Sequence, residues 1–335
     1  MGSIKLISFP KKIVLIMQKP AFLISIDTEG DNLWVNTKDI STQNAKFLDR
    51  FQQLCEKYGF KPTYLTNYEM AISPDYVAFA KDVIARNQGE VGMHLHAWNS
   101  PPLQPLTDDD DRYKPYLIEY PQTIMREKIA VMTDLLEDIF DVKMLSHRAG
   151  RWAFNEYYAQ LLHEFGYQVD CSVTPYVDWS GVKGKPDGNG GTDYSQFPDG
   201  AYFMDLNDIS KVGTSSLLQI PMSTRLKYGS LHNSFKQLYD GLRGKKRPPS
   251  TRWLRPKGNN VEEMKFVAQQ CLDEGKNYVE FMLHSSEFMP GGSPTFKDDT
   301  SIEQLYRDLE ELFEWLSQCT QGMTMAEFYQ YKLMG

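Results

Sequence analysis

The sequence predicts an α/β protein whose parallel strands, alternating with helices, close into a barrel of seven strands. Three observations carry this. Compact apolar runs alternate with segments of helical period along the 335 residues, and that alternation builds a parallel sheet covered by helices. A parallel sheet needs both faces covered, a condition met when it closes into a barrel ringed by helices. The acids, histidines and arginine that could do chemistry fall at the C-terminal ends of the predicted strands, where such barrels carry their reactive groups.

The first strand, 21–26, is an apolar run ending in acids, and 43–58 has helical spacing through Phe47, Leu48, Phe51 and Leu54. Residues 63–65 form the second strand, followed by a helix over 74–86 with Val77, Phe79 and Val83 on one face. Strand 90–96 and helix 122–140 make the third unit, strand 142–146 and helix 155–165 the fourth. Strands at 167–173 and 217–222, helix 261–273, strand 278–283 and helix 302–317 complete the count, one strand short of the usual eight. Residues 175–216 are rich in glycine and lack a helical period, so they read as an ordered or partly ordered insertion over the barrel mouth. The rest reads as a single barrel domain over 21–335, preceded by an extension at 1–20.

Composition excludes several classes. With 41% hydrophobic and 24% charged residues, the chain can bury a large core. The apolar run Ile13 to Met17 meets Gln18 and Lys19 at once, too short for a signal h-region or a membrane span. Cys55, Cys171, Cys271 and Cys319 are widely spaced with no C-x-x-C, which fits a reducing cytoplasm. A formal charge of -8 argues against general nucleic-acid binding and for a small or neutral substrate. The basic stretch Arg243, Lys245, Lys246, Arg247, Arg252, Arg255 and Lys257 reads as solvated, or as a contact for a substrate phosphate or carboxylate; the Asp108 to Asp111 run reads as a solvated loop.

Five segments could carry chemistry. In S-I-D-T-E-G-D, 25–31, three carboxylates lie just past an apolar strand; they stay ionised only if a cation or donors offset them, so a metal site and a solvated capping turn are both open. In E-V-G-M-H-L-H-A-W-N-S-P-P, 90–102, strand alternation puts His94 and His96 on one face, where two neutral imidazoles can bind one divalent ion. In S-H-R-A-G-R-W, 146–152, Arg148 can hold a catalytic carboxylate and Gly150 lets backbone approach closely, while Arg151 reads as a surface ion pair or a substrate contact beside Trp152. D-C-S-V-T-P-Y-V-D-W, 170–179, offers Tyr176, Asp178 and Trp179 as a sugar-facing wall. M-L-H-S-S-E, 282–287, ends a strand on His284, placed to donate a proton, with Glu287 behind it.

Together and in this order, these segments resemble the NodB-homology polysaccharide deacetylases, carbohydrate esterase family four in the broad sense, over about 21–287. The spellings HLHAWNSPP, HRAGRW and SVTPYVDW are similar to a bacterial subgroup associated with lipopolysaccharide and surface-polysaccharide synthesis. The resemblance implies a distorted (β/α)7 barrel, a divalent metal, often zinc, and hydrolysis of N- or O-acetyl groups on a carbohydrate. It implies Asp27 as general base, Glu29 as the metal-binding acid with Asp31 as a further candidate, His94 as first metal histidine, Arg148 as the supporting arginine and His284 as general acid. Trp98 stands where the family carries its second metal histidine, so His96 takes that role. Trp98, Arg151, Trp152, Tyr176, Asp178, Trp179 and Glu287 are then expected to face the sugar. A catalytically silent carbohydrate-binding or regulatory barrel is the alternative that the altered triad raises.

Overall fold

Strand β1 (Ala21–Thr28) shows how the sequence builds the barrel. Alternation sends Phe22, Ile24 and Ile26 outward to the helix-covered core, while Ala21 and Leu23 join a second apolar cluster inside. Ser25 and Asp27 continue that inward face, so the lumen turns from apolar to polar toward the C-terminal ends of the strands. The computed structural model describes residues 19–35, 37–185, 187–227 and 250–334. Residues 1–18 of the predicted extension, and Arg243, Lys245, Lys246 and Arg247, lie outside the described residues.

After β1 come the 3-10 turn Gln43–Phe47, α1 (Leu48–Lys57), β2 (Pro62–Thr66), α2 (Tyr68–Ala71) and α3 (Pro74–Ala85). Then follow β3 (Glu90–Leu95), α4 (Asp110–Tyr113), α5 (Gln122–Phe140), β4 (Ser146–Ala149), α6 (Glu156–Glu164) and β5 (Val169–Asp170). The insertion folds into the hairpin β6 (Tyr202–Asp205) and β7 (Asp208–Val212), ahead of β8 (Leu218–Gln219), β9 (Thr224–Leu226) and β10 (Thr251–Trp253). Next are α7 (Val261–Asp273), β11 (Tyr278–His284), α8 (Asp299–Cys319), β12 (Gln321–Met323) and α9 (Met325–Met334).

Seven parallel strands run in the order β11-β1-β2-β3-β4-β5-β8, and β6 then pairs antiparallel with β8. Between β8 and β11 the ladder is replaced by two bonds: Glu280 N–H donates to Ser223 Oγ at 2.9 Å, and the Tyr278 hydroxyl to the Pro221 carbonyl at 2.8 Å. The architecture is thus a distorted (β/α) barrel, as the alternation predicts. At its N-terminal end α9 forms a plug, with Met325, Phe328 and Tyr329 packed on Ala21, Leu23, Leu65 and Val169. The half-buried Glu90 carboxylate ties it down, accepting from Ala326 N–H and from Thr63 Oγ1, each at 3.0 Å. No helix among the described residues is long and apolar enough to cross a membrane.

Several predicted bounds move, each for a local reason. The fourth strand lies at Ser146–Ala149, not at 142–146, because α5 ends with Asp141 at φ 55 and the next residues only connect. The fifth strand ladders at Val169–Asp170 alone, since Asp170 bends the chain by accepting from the N–H and Oγ of its own Ser172. The insertion does not lie wholly over the mouth: Trp179 and Val182 wall the cavity, but β6 and β7 extend the sheet.

Candidate active site

Reactive side chains gather where the inward faces of the strands run out. Asp27 lies in register beside His284, and His94 beside Arg148. Glu29 and His96 each follow two residues later, just past their strands. Asp27, Glu29, His94, His96 and His284 thereby line one cavity of about 470 Å³ at the C-terminal end of the barrel.

Glu29, His94 and His96 form the core of the site. His96 Nε2 is 2.9 Å from Glu29 Oε2 and 3.1 Å from His94 Nε2, and His94 Nε2 is 3.6 Å from the same oxygen. Donors at about 2.0–2.1 Å from a tetrahedral ion stand about 3.3 Å apart, so these three separations bracket the spacing of one face of such a site. The His94 Nδ1–H donates to the Arg148 carbonyl at 2.9 Å, which leaves the Nε2 lone pair facing inward. Two imidazole nitrogens and a carboxylate oxygen this close can share one cation. Burial opposes ionisation of Glu29, yet His284, His94 and His96 outweigh it and hold the carboxyl well below its ordinary range. Burial likewise opposes a charge on His94, but Asp27 and Glu29 raise it; on His96 burial wins and lowers it. The donor set therefore fits a divalent metal, and nitrogen-rich coordination of this kind suits zinc among others.

His96 is oriented differently from His94. Its Nδ1 is buried with no hydrogen-bond partner among the described residues. Packing holds that side of the ring: the Trp98 ring lies 4.3 Å away, and at Gly150 a Cβ would come within 2.5 Å of the Leu95 carbonyl and 2.9 Å of Nδ1, which is why that position carries glycine. Arg151 lies over the Trp98 ring at 4.9 Å and pairs with Asp111 at the cavity wall. Arg151 and Trp152 both have left-handed backbone, at φ 54 and 61, a conformation that non-glycine residues adopt at a cost and that here aims both side chains into the mouth.

Beneath the cavity Arg148 is fully buried and divides its donors. It gives Nη1 to Asp27 Oδ1 at 2.6 Å, Nη2 to Ser25 Oγ at 2.7 Å and to Glu280 Oε1 at 2.8 Å, and Nε to the Cys171 carbonyl at 3.1 Å. Burial opposes the charge on Asp27, but Arg148, His94 and His284 hold its carboxyl below the ordinary value. Opposite, His284 Nε2 is 3.9 Å from both Asp27 Oδ2 and Glu29 Oε1. Glu287 Oε2 lies 3.0 Å from His284 Nδ1, accepts from the His284 N–H at 2.9 Å, and is paired with Arg255 at 3.1 Å.

Four expectations change. Asp31 stays out of the cluster: its carboxylate accepts from Ser41 Oγ and from Gln43 and Asn44 N–H, capping the 3-10 turn. Tyr176 turns its hydroxyl to Asp199 at 2.7 Å, and exposed Asp178 accepts from Ser180 N–H; neither lines the cavity. Glu287 is buried behind His284, so it holds that ring and does not line this cavity. In the supposedly solvated acidic run, Asp110 is buried and takes the Tyr120 hydroxyl, while Asp111 faces the mouth. Trp98, Arg151, Trp152 and Trp179 do line the cavity, joined by Trp34 and Tyr116, which nothing in the sequence marks, and by Arg255, for which a substrate contact is one of the two expectations. Glu280 and Glu69 support the site as well. Glu69 joins two site loops by accepting from Gly30 N–H at 3.0 Å and Asn99 Nδ2 at 2.9 Å. Glu280 had a legible signal, an acid inside the apolar run YVEFMLH on the same strand face as His284.

No family model matches the sequence, and no curated protein sequence does. Solved structures do match. A candidate polysaccharide deacetylase from Mycobacterium smegmatis superposes with a TM-score of 0.54 at 13% identity, covering 97% of this chain and 92% of that one. A candidate glycoside hydrolase/deacetylase from Parabacteroides distasonis superposes with a TM-score of 0.62 at 8% identity, covering 95% and 72%. At such identities the likeness speaks for the backbone only, and it agrees with the strand order described above: this chain has the NodB-homology deacetylase fold.

Proposed function

We propose that this chain is a metal-dependent carbohydrate deacetylase, a hydrolase that removes acetyl groups from an amino or hydroxyl position of a sugar. The observation that carries the reading is the convergence of Glu29, His94 and His96 on one point between Asp27 and His284. A divalent ion held by those three, zinc by preference, would supply Lewis acidity to polarise the acyl carbonyl and acidify water. Asp27 takes the water proton on Oδ2, since Oδ1 is committed to Arg148. His284 keeps its Nδ1–H on Glu287 and delivers a proton from Nε2 to the departing sugar nitrogen or oxygen. Arg255 pairs with Glu287 and also lies 3.0 Å from His284 Nδ1, so the two side chains together hold the ring in place. Trp34, Trp98, Trp152 and Trp179, four of the six tryptophans, offer apolar surface to sugar faces around this centre.

The resemblance to the surface-polysaccharide subgroup supports a place for the substrate in surface polysaccharide or lipopolysaccharide metabolism. The cysteines support a cytoplasmic setting: Cys55, Cys171 and Cys271 are buried free thiols and Cys319 is free as well. The test is acetate release by the zinc-loaded chain from N- and O-acetylated oligosaccharides. Wild type should release acetate, and Asp27→Asn should bind zinc yet lose about 10²–10⁴-fold in rate. Zinc and sugar binding with no acetate from any substrate would replace this reading by the silent carbohydrate-binding barrel.

A further inference from the structure

Two of the three metal-ligand candidates sit on loops and not on strands. β1 ends at Thr28 and β3 at Leu95, so Glu29 and His96 each lie one residue beyond their ladder. His94 lies within β3 and is held by its bond to the Arg148 carbonyl, but His96 Nδ1 has no such partner among the described residues. The place of His96 relative to Glu29 therefore depends on how the two loops are held to each other.

Glu69 spans them. It stands in the first turn of α2 at 9% exposure, on a base tied to the end of β1: the Asn67 N–H donates to the Thr28 carbonyl at 3.0 Å. Glu69 Oε1 accepts from Gly30 N–H at 3.0 Å and from Asn67 Nδ2 at 2.5 Å, while Oε2 accepts from Asn99 Nδ2 at 2.9 Å. Gly30 follows Glu29 directly, and Asn99 lies three residues after His96. A carboxylate offers acceptors on both oxygens, so one side chain takes donors from both loops at once. The approach is close. A Cβ at Gly30 would come within 3.1 Å of Glu69 Oε1 and 2.2 Å of Ile40, so a side chain there would push the loop off its support.

We infer that Glu69 is a positioning residue for the metal site: its bridge from Gly30 to Asn99 fixes the separation of Glu29 and His96 and thereby sets metal affinity. It touches neither ligand side chain and takes no part in the chemistry. The inference rests on the deacetylase reading only for the presence of the ion. Groups that orient metal ligands from outside commonly change affinity by about 10–100-fold, and a bridge acting through backbone belongs at the lower end.

The test is calorimetric titration of the full chain with zinc ion, beside the Tm of the metal-free protein and acetate release. Asn99→Ala removes the far end of the bridge and leaves Glu69 on Gly30 and Asn67. It should weaken zinc binding about tenfold with little change in the metal-free Tm. Glu69→Ala should weaken it to the same extent and the double variant no further, since both substitutions break one bridge. Glu69→Gln should recover most of the affinity, because the Asn99 amide can turn over and offer its Oδ1, which has no partner among the described residues, to the new Nε2. Wild-type zinc affinity in Asn99→Ala, a lower Tm without weaker zinc binding, or additive weakening in the double variant would overturn the inference. Weaker zinc binding in Asn99→Ala, in a chain whose wild type releases no acetate, would keep the bridge and remove the deacetylase reading. Failure of wild type to bind zinc would overturn both.

Discussion

Arg148 Nη1 stands 2.6 Å from Asp27 Oδ1 where the guanidinium has no solvent exposure and the aspartate is 3% exposed. The pair lies directly under the cavity, and its geometry decides which carboxylate oxygen is left for chemistry. The same guanidinium serves Glu280, itself wholly buried, so one cation supports two acids. Removing it strands both.

Arg148→Met should therefore destabilise the protein by about 3–5 kcal/mol, the usual cost of breaking a buried ion pair from one side. Urea unfolding monitored by far-UV circular dichroism reads this directly. A loss below about 1 kcal/mol would mean that Asp27 and Glu280 find other partners or take up protons readily.

Zinc should stabilise the fold through Glu29, His94 and His96. At a free concentration near 100 times the dissociation constant the gain is about 2.7 kcal/mol, visible as a higher Tm. Glu29→Gln should abolish the shift. Because no hydrogen bond holds His96 Nδ1 and the Trp98 ring packs on the imidazole, Trp98→Ala should weaken zinc binding about tenfold, with Trp98→Phe between that and wild type.

Lys128 gives a pH dependence away from the metal ligands. It donates to the carbonyls of Ser100 and Pro102 at 2.6 and 2.8 Å, and burial pushes its ammonium down to about 8. The unfolded chain, with an ordinary value of about 10.4, then binds more protons than the folded one between those pH values, so stability rises with pH across that window. Below pH 8 both states are charged and the full penalty remains. Relative to Lys128→Met, wild type should gain stability from pH 8 to 10; a flat difference would show that the ammonium is solvated.

Glu90→Ala should loosen the plug at the other end of the barrel. It leaves Thr63 Oγ1, Ser146 Oγ and Ala326 N–H without their acceptor, a loss of roughly 2–4 kcal/mol. Limited proteolysis should cut the variant first within α9 (Met325–Met334), where wild type resists.

Much of this was legible in the sequence because two local rules dominate it. Strand alternation alone put His94 and His96 on one face, and the alternation of apolar runs with helical periods carried the barrel. What the sequence hid depends on tertiary choice. Asp27, Glu29 and Asp31 look alike as neighbours, yet only the position of Ser41 and Asn44 turns Asp31 into a cap. Arg255 reads as one of a run of cations that are solvated or contact a substrate anion, until the chain after β10 brings it to Glu287 and His284. The plug α9 is too weakly amphipathic to stand out, since its apolar side chains fill a lumen defined by strands far away in sequence. Trp253 lies about a hundred residues from Trp152, and nothing local to either shows that they meet.

The central claim is that Glu29, His94 and His96 hold a single divalent ion between Asp27 and His284. Anomalous diffraction at the zinc edge from zinc-soaked crystals tests it most directly. One strong peak is expected about 2.0–2.2 Å from a Glu29 carboxylate oxygen and from the Nε2 atoms of His94 and His96. A peak bound elsewhere, or none at this cluster under saturating zinc, would contradict the account.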